Sequence, residues 1–176
     1  MKKFFPILML AFVGLFIFSC DSNDDNYDSV DYDTYSQMRD ATGSFTSADN
    51  YTLSMDITIQ NTDVVLVYRK EGNYWVSVPK TYFLDNVSAP TTGRELDYNF
   101  NFNTNEVNIM TSANFDQSTQ MSATERNQYL NNQTFRVVLV PASAAKTANA
   151  VDLQDYNAVV KYYNLNDYNV KSFIIK

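Results

Sequence analysis

The chain has 176 residues with 20 acidic and 13 basic side chains, a formal net charge of −7, no histidine and one cysteine. An excess of acid argues against nucleic acid as a partner, because neutralising a phosphate backbone needs a basic surface. The missing histidine removes the commonest general base and metal ligand near neutral pH, and one cysteine makes neither an internal disulfide nor a thiolate zinc cluster, so no cofactor is expected.

The N-terminus is an address. Met1-Lys2-Lys3 is basic, Phe4 to Phe18 is apolar, and Ile17-Phe18-Ser19-Cys20 reads as a bacterial lipobox. A membrane-spanning helix needs about 20 apolar residues, whereas a signal-peptide core has about 7–15 behind a basic start. Residues 1–19 therefore read as a lipoprotein signal peptide rather than an uncleaved anchor or a buried strand, with Cys20 as the lipidation site. Each buried acyl CH₂ contributes about 0.8 kcal/mol, and two or more chains anchor stably. The partner implied at this end is a membrane, held through Cys20.

Residues 20–38 follow as a tether. Asp21 to Asp33 holds six aspartates and no base, a composition that repels itself and lacks apolar mass. With residues 1–19 removed the net charge is about −9 by simple counting. A calcium loop of the EF-hand type needs glycine at its sixth position and glutamate at its twelfth. Counting from Asp21 these are Asn26 and Tyr32, and from Asp24 they are Ser29 and Tyr35. The stretch resembles the surface-export signal of Bacteroidota lipoproteins, which implies an outer-membrane location, on the periplasmic face or at the cell surface.

Residues 39–176 read as a single β-rich domain. Tyr51 to Gln60 alternates, with Leu53, Met55, Ile57 and Ile59 on one face, the pattern of a half-buried strand. Ala41 to Thr46 is expected to pair with it through the turn Ser47-Ala48-Asp49-Asn50. Asp63 to Lys70 carries the continuous core Val64-Val65-Leu66-Val67-Tyr68 of a strand covered on both faces, and Glu71-Gly72-Asn73 turns it into Tyr74 to Pro79. Leu96, Tyr98, Phe100 and Phe102 alternate with polar residues and lead through Thr104-Asn105 into Val107-Asn108-Ile109, a hairpin with an apolar inner face.

Ser122 and Glu125 have capping-box spacing, predicting a short polar helix over Ala123 to Asn131. Thr134 to Val140 is the strongest strand pattern, stopped by Pro141. After a small-residue loop, Ala142 to Ala150, Asp152 is expected to cap a helix with Asp155 at its third position. Tyr156, Val159, Val160 and Tyr163 form that helix's apolar stripe, Asn164 ends it, and Val170 to Ile175 makes a last strand. The architecture these elements predict is a mainly β fold, a β-sandwich or partly open barrel with one packed C-terminal helix.

Catalytic equipment is sparse. A carboxylate hydrolase needs two acids separated by about 5 Å or about 6.5–9.5 Å. Glu71, Glu95, Glu106 and Glu125 are available, but no motif selects a pair, so the chain is expected not to be an enzyme. Thirteen tyrosines, twelve phenylalanines and one tryptophan offer stacking surfaces for a sugar or a protein, although core packing accounts for most of them. Trp75 is the exception. The apolar phase Tyr74, Val76, Val78 leaves its indole on the face of Asn73 and Ser77, partly exposed as a ligand platform, unless a bulge or covering loop buries it.

Gln133 to Ala142, Val151 to Val159 and Asp63 to Tyr68 together resemble a group of small flavobacterial lipoproteins. Some of that group carry a collagen-like Gly-Pro-rich segment behind the lipidated cysteine, where this chain has only its acidic tether. The resemblance implies secretion and single-domain organisation and brings no function with it. The expectation is a lipid-anchored envelope module whose partner is an envelope protein, with glycan binding as the alternative and a hydrolase behind both.

Overall fold

The computed structural model describes residues 36–85, 93–142 and 151–175, all within one compact unit, Asp31–Lys176. The lipobox, Cys20, the acidic stretch to Asp33 and the loop 143–150 lie outside the described residues. The fold is mainly β: among the described residues nine strands form two sheets, stacked as a sandwich with no closed barrel.

The strands are β1 (Gln37–Gly43), β2 (Thr52–Asp56), β3 (Val64–Glu71), β4 (Tyr74–Val78), β5 (Lys80–Phe83), β6 (Glu95–Phe102), β7 (Glu106–Ala113), β8 (Gln133–Val140) and β9 (Lys171–Ile174). Two helices join them, α1 (Ala123–Tyr129) and α2 (Tyr156–Tyr162). One sheet runs β4-β3-β8-β1-β9 and the other β2-β7-β6-β5. Every pairing in them is antiparallel except that of β9 with β1.

Period-two alternation fills the space between the sheets. Val65 and Val67 of β3, Phe135, Val137 and Leu139 of β8, and Ala41 of β1 meet Leu53, Met55, Leu96, Tyr98, Val107 and Ile109 from the opposite sheet. The alternate residues of β3 and β8, namely Tyr68, Val138 and Val140, point outward and are covered by Tyr156 and Val159 of α2. β3 and β8 are thus clad on both faces, the reason their sequences read as unbroken apolar runs.

The structure corrects three expectations. β1 does not pair with β2. After Gly43 the chain crosses between sheets through a 3-10 turn, Ser47–Asp49, and two successive left-handed residues, Asn50 (φ 50°) and Tyr51 (φ 53°). β1 instead pairs with β8, from Gln37 opposite Leu139 to Gly43 opposite Gln133, and with β9 on its other side. The same turn chemistry serves a hairpin and an arch between sheets, so the residues alone do not separate them.

The cap of α2 is Asp155, whose carboxylate accepts from the N–H of Asn157 (2.9 Å) and of Ala158 (3.2 Å). Asp152 shapes the preceding turn instead, accepting from the N–H of Gln154 at 2.9 Å. Finally, β5 has no counterpart in the predicted elements. It follows β4 after Pro79 alone, whose preceding peptide is cis, and the chain changes sheets there.

Other features agree with the sequence reading. Ser122 and Glu125 form the reciprocal capping box, and Asn164 ends α2 with φ 50°. Gly72 turns β3 into β4 at φ 58°, a conformation glycine adopts without steric cost. Phe102 lies on the inner phase of β6 but is 43 % exposed at the strand's end.

Candidate functional site

β3 places consecutive side chains on opposite faces of its sheet, and each face carries a buried arginine. On the sandwich side Arg69 lies opposite Phe135 of β8 and is only 5 % exposed. Its guanidinium sits between three tyrosine rings, with centroids at 5.1 Å (Tyr82), 4.9 Å (Tyr98) and 5.7 Å (Tyr129). All five donors are used. Nε and Nη2 both reach Gln133 Oε1 at 3.1 and 2.7 Å, and Nη2 also donates to the Gln128 carbonyl at 2.7 Å. Nη1 donates to Glu71 Oε1 at 3.0 Å and to the Tyr82 hydroxyl at 3.1 Å.

A buried cation of this kind is stable only with full hydrogen bonding and a counter-charge. Burial works against the charge of Arg69, and the tyrosines and Glu71 hold its pKa above the ordinary value. Burial, and next its hydrogen bond to Glu71, push the Tyr82 hydroxyl up to about 12. The Tyr98 hydroxyl, also raised by burial, donates to the Tyr129 carbonyl and so ties β6 to the end of α1.

Above this network opens a cleft of about 750 Å³ between the β3–β4 turn, β5, α1 and the turn into β8. Its floor is Arg69 with Tyr82 and Gln133, and its rim is Asn127, Asn131 and Asn132. The rim is fixed locally. Asn131 Nδ2 donates to Asn127 Oδ1 at 2.7 Å, Asn132 takes φ 50°, and its N–H donates to Ser44 Oγ at 2.9 Å. Asparagine tolerates this left-handed conformation better than most residues. Chemically the cleft offers neutral donors and acceptors, two tyrosine rings and a charge pair that neutralises itself.

On the outer face Arg136 of β8 grips Asp40 of β1 with two bonds, Nε to Oδ1 at 2.7 Å and Nη2 to Oδ2 at 2.8 Å. It also donates to the Tyr156 hydroxyl. Trp75 belongs to this cluster. Its ring lies 4.3 Å from the Arg136 guanidinium carbon and 5.7 Å from the Tyr156 ring. The indole is half-buried because α2 and the segment before it cover this part of the sheet, with Tyr68 donating to the Leu153 carbonyl at 2.6 Å. Trp75 still borders a small hollow of about 190 Å³ with Tyr74, Tyr156, Asn73 and Asn157. Trp75 is not among the residues lining the larger cleft.

The four glutamates singled out by sequence have separate surroundings. Glu71 serves Arg69, and Glu106 Oε1 accepts from Asn103 Nδ2 at 3.1 Å beside the β6–β7 turn. Glu95 begins β6 opposite Phe83. Glu125 accepts from Arg94 Nη2 at 2.7 Å, and that bond, then the Ser122 N–H, draw its carboxyl down to about 2. These acids share no hydrogen-bond partner among the described residues. No group of three or more ligating side chains there is arranged to hold a metal, and no helix there is long and apolar enough to cross a membrane.

Arg69, Tyr82, Tyr129 and Gln133 were not selected by sequence. One signal was present: an arginine directly after four apolar residues and a tyrosine, in a strand expected to be covered on both faces, must have buried partners. No family model, no curated protein and no solved structure matches the chain.

Proposed function

We propose that this protein is a non-enzymatic binding module of the bacterial outer envelope, held to its membrane by lipid at Cys20, with the cleft over Arg69 as its recognition site. The observation that carries the binding role is the cleft itself: an open, polar volume on a floor fixed by five hydrogen bonds from one guanidinium. Ligand sites are concave, and a few fixed polar groups in them set the ligand's orientation. Trp75 is read here as the wedge that seats α2 on the sheet. The anchoring part rests on the lipobox and the resemblance to flavobacterial lipoproteins.

Two measurements test the proposal. Cys20→Ala should abolish fatty-acid labelling and release the protein from membranes, and undiminished labelling would defeat the anchor. Saturable binding of envelope material by the wild type, weakened by Tyr129→Ala, supports the cleft. Binding that ignores that change defeats it.

A second reading, protein interaction or assembly, is favoured by the free side of β9. That strand pairs only with β1 among the described residues, and its Ile174 is 83 % exposed. An unpaired edge of this sort accepts an added strand.

A further inference from the structure

We infer that the cleft binds neutral, polyhydroxylated ligands of the carbohydrate class, an inference that rests on the reading of the cleft as the recognition site and gives that site its ligand chemistry.

Charge is the first ground. Every guanidinium donor of Arg69 is already engaged within the protein. Lys70, next on the strand, also lines the cleft, but its Nζ lies 5.8 Å from the Trp75 ring, on the sheet's other face. The guanidinium on the cleft floor therefore has no donor left for a phosphate, sulfate or carboxylate, which would require charge-assisted bonds, and the Lys70 ammonium is turned toward Trp75. Glu71 is likewise matched by Arg69, so a cationic ligand finds no unpaired anion.

The second ground is the absence of apolar sockets. No aliphatic side chain lines the cleft, whereas peptide ligands gain most of their affinity by seating apolar or aromatic anchors in pockets. The rings of Tyr82 and Tyr129, 5.4 Å apart and tilted by 53°, are half-buried with Arg69 against one side, and what they expose is the flat apolar surface among the cleft's lining residues. Such faces suit the C–H side of a sugar ring.

The amides supply the third ground. Asn127, Gln128, Asn131 and Asn132 stand exposed on one rim. A primary amide carries an acceptor beside two donors, and a hydroxyl both donates and accepts, so a row of amides answers a row of neighbouring hydroxyls. Fixing the rim before binding lowers the entropy that a flexible site would lose. The cleft volume lies within the usual span of small-ligand sites, roughly 300–1,000 Å³.

The test uses the full-length protein in a detergent without a sugar headgroup. Titration calorimetry is run with neutral oligosaccharides of two to six units from β-glucan, xylan, mannan and chitin, and with uronic-acid oligomers and Asn-rich peptides of similar size. The variant combines Asn127→Ala, Gln128→Ala and Asn132→Gly. These changes keep the Gln128 carbonyl that Arg69 uses and suit the positive φ at 132, so the melting temperature should hold. A neutral oligosaccharide that binds the wild type and loses at least about tenfold in affinity in the variant is the expected result. Amide-dependent binding confined to the uronic acids or peptides overturns the ligand class and leaves the cleft standing. Absence of binding throughout, or binding that the variant leaves unchanged, overturns both.

Discussion

Tyr68 and Arg69 are neighbours on one strand that fasten opposite sides of the same sheet. The Tyr68 hydroxyl donates 2.6 Å outward to the Leu153 carbonyl, and Arg69 Nη2 donates 2.7 Å inward to the Gln128 carbonyl. One links the sheet to the turn before α2 and the other to α1, segments the chain reaches more than fifty residues later. Their losses should differ in size. Tyr68→Phe removes one neutral hydrogen bond and should cost about 1 kcal/mol. Arg69→Met leaves the buried Gln133 Oε1 and the Gln128 carbonyl without their donor, while the partly exposed Glu71 keeps Tyr82, and should cost about 2–4 kcal/mol. Denaturant melts of the two variants should show that ratio, and equal losses would contradict the network described for Arg69.

The outer cluster should behave as a unit. Asp40→Ala strands the Arg136 guanidinium, which is only 7 % exposed at its side chain, and should cost about 3–5 kcal/mol. Trp75→Ala takes a stacking surface from Arg136 and Tyr156 and should cost about 2 kcal/mol. Because the two residues share Arg136, the double variant should lose less than the sum of the single losses. A strictly additive result would place Trp75 outside the cluster.

Gly43 is set by space rather than by backbone conformation. A Cβ there would lie 2.7 Å from Leu53 Cδ2 and 2.8 Å from the Ile175 carbonyl oxygen. Gly43→Ala should therefore push β9 from β1 or displace Leu53, at a cost of about 1–3 kcal/mol. Amide exchange should quicken at Phe173 and Ile174 more than in β6, and uniform exchange changes would refute the local account.

Stability should fall at both ends of the pH range and stay level between. Arg94 holds the Glu125 carboxyl down to about 2. A carboxylate depressed on folding contributes its stabilisation above its unfolded pKa and loses it as pH falls through the folded value. The loss should run from the ordinary glutamate range down to about pH 2, and Glu125→Gln should reduce it, with Asp116 and Asp85, also held low by hydrogen bonds, keeping the remainder. Tyr82 is displaced the other way, up to about 12, so its contribution is complete below the ordinary tyrosine range and disappears as pH rises through about 12. Tyr82→Phe should soften that alkaline limb. With no histidine in the chain, a steep change between pH 6 and 8 would contradict both assignments.

Much of the sandwich was legible because period-two patterns and caps are local. Leu53, Met55 and Ile57, the apolar run of β3, the Ser122–Glu125 box and the stripe of α2 all follow from spacing within one element. Pairing is not local. Nothing within Ala41–Thr46 states that its partners lie at Phe135 and Phe173, and β5 escaped notice because Pro79 reads as an end when it is only a corner. The cleft was legible least. Arg69, Tyr82, Tyr129 and Gln133 come from β3, β5, α1 and β8, which are distant in sequence, and the hydrogen bonds that select Gln133 for Arg69 exist only after β3 and β8 are in register. Trp75 stood out because its phase on the strand sets it apart from Tyr74, Val76 and Val78, and its covering by α2 depends on packing that no alternation within β4 encodes.

The register of β1 against β8 also gives the domain a direction. β1 enters the sandwich at Gln37, opposite Leu139, and leaves at Gly43, opposite Gln133. Gln133 is part of the cleft floor. Seven residues of strand span about 20 Å at roughly 3.3 Å each. The point where the chain enters β1 and the floor of the cleft therefore lie at opposite ends of one strand, so a ligand in the cleft is bound about a strand's length away from Ser36.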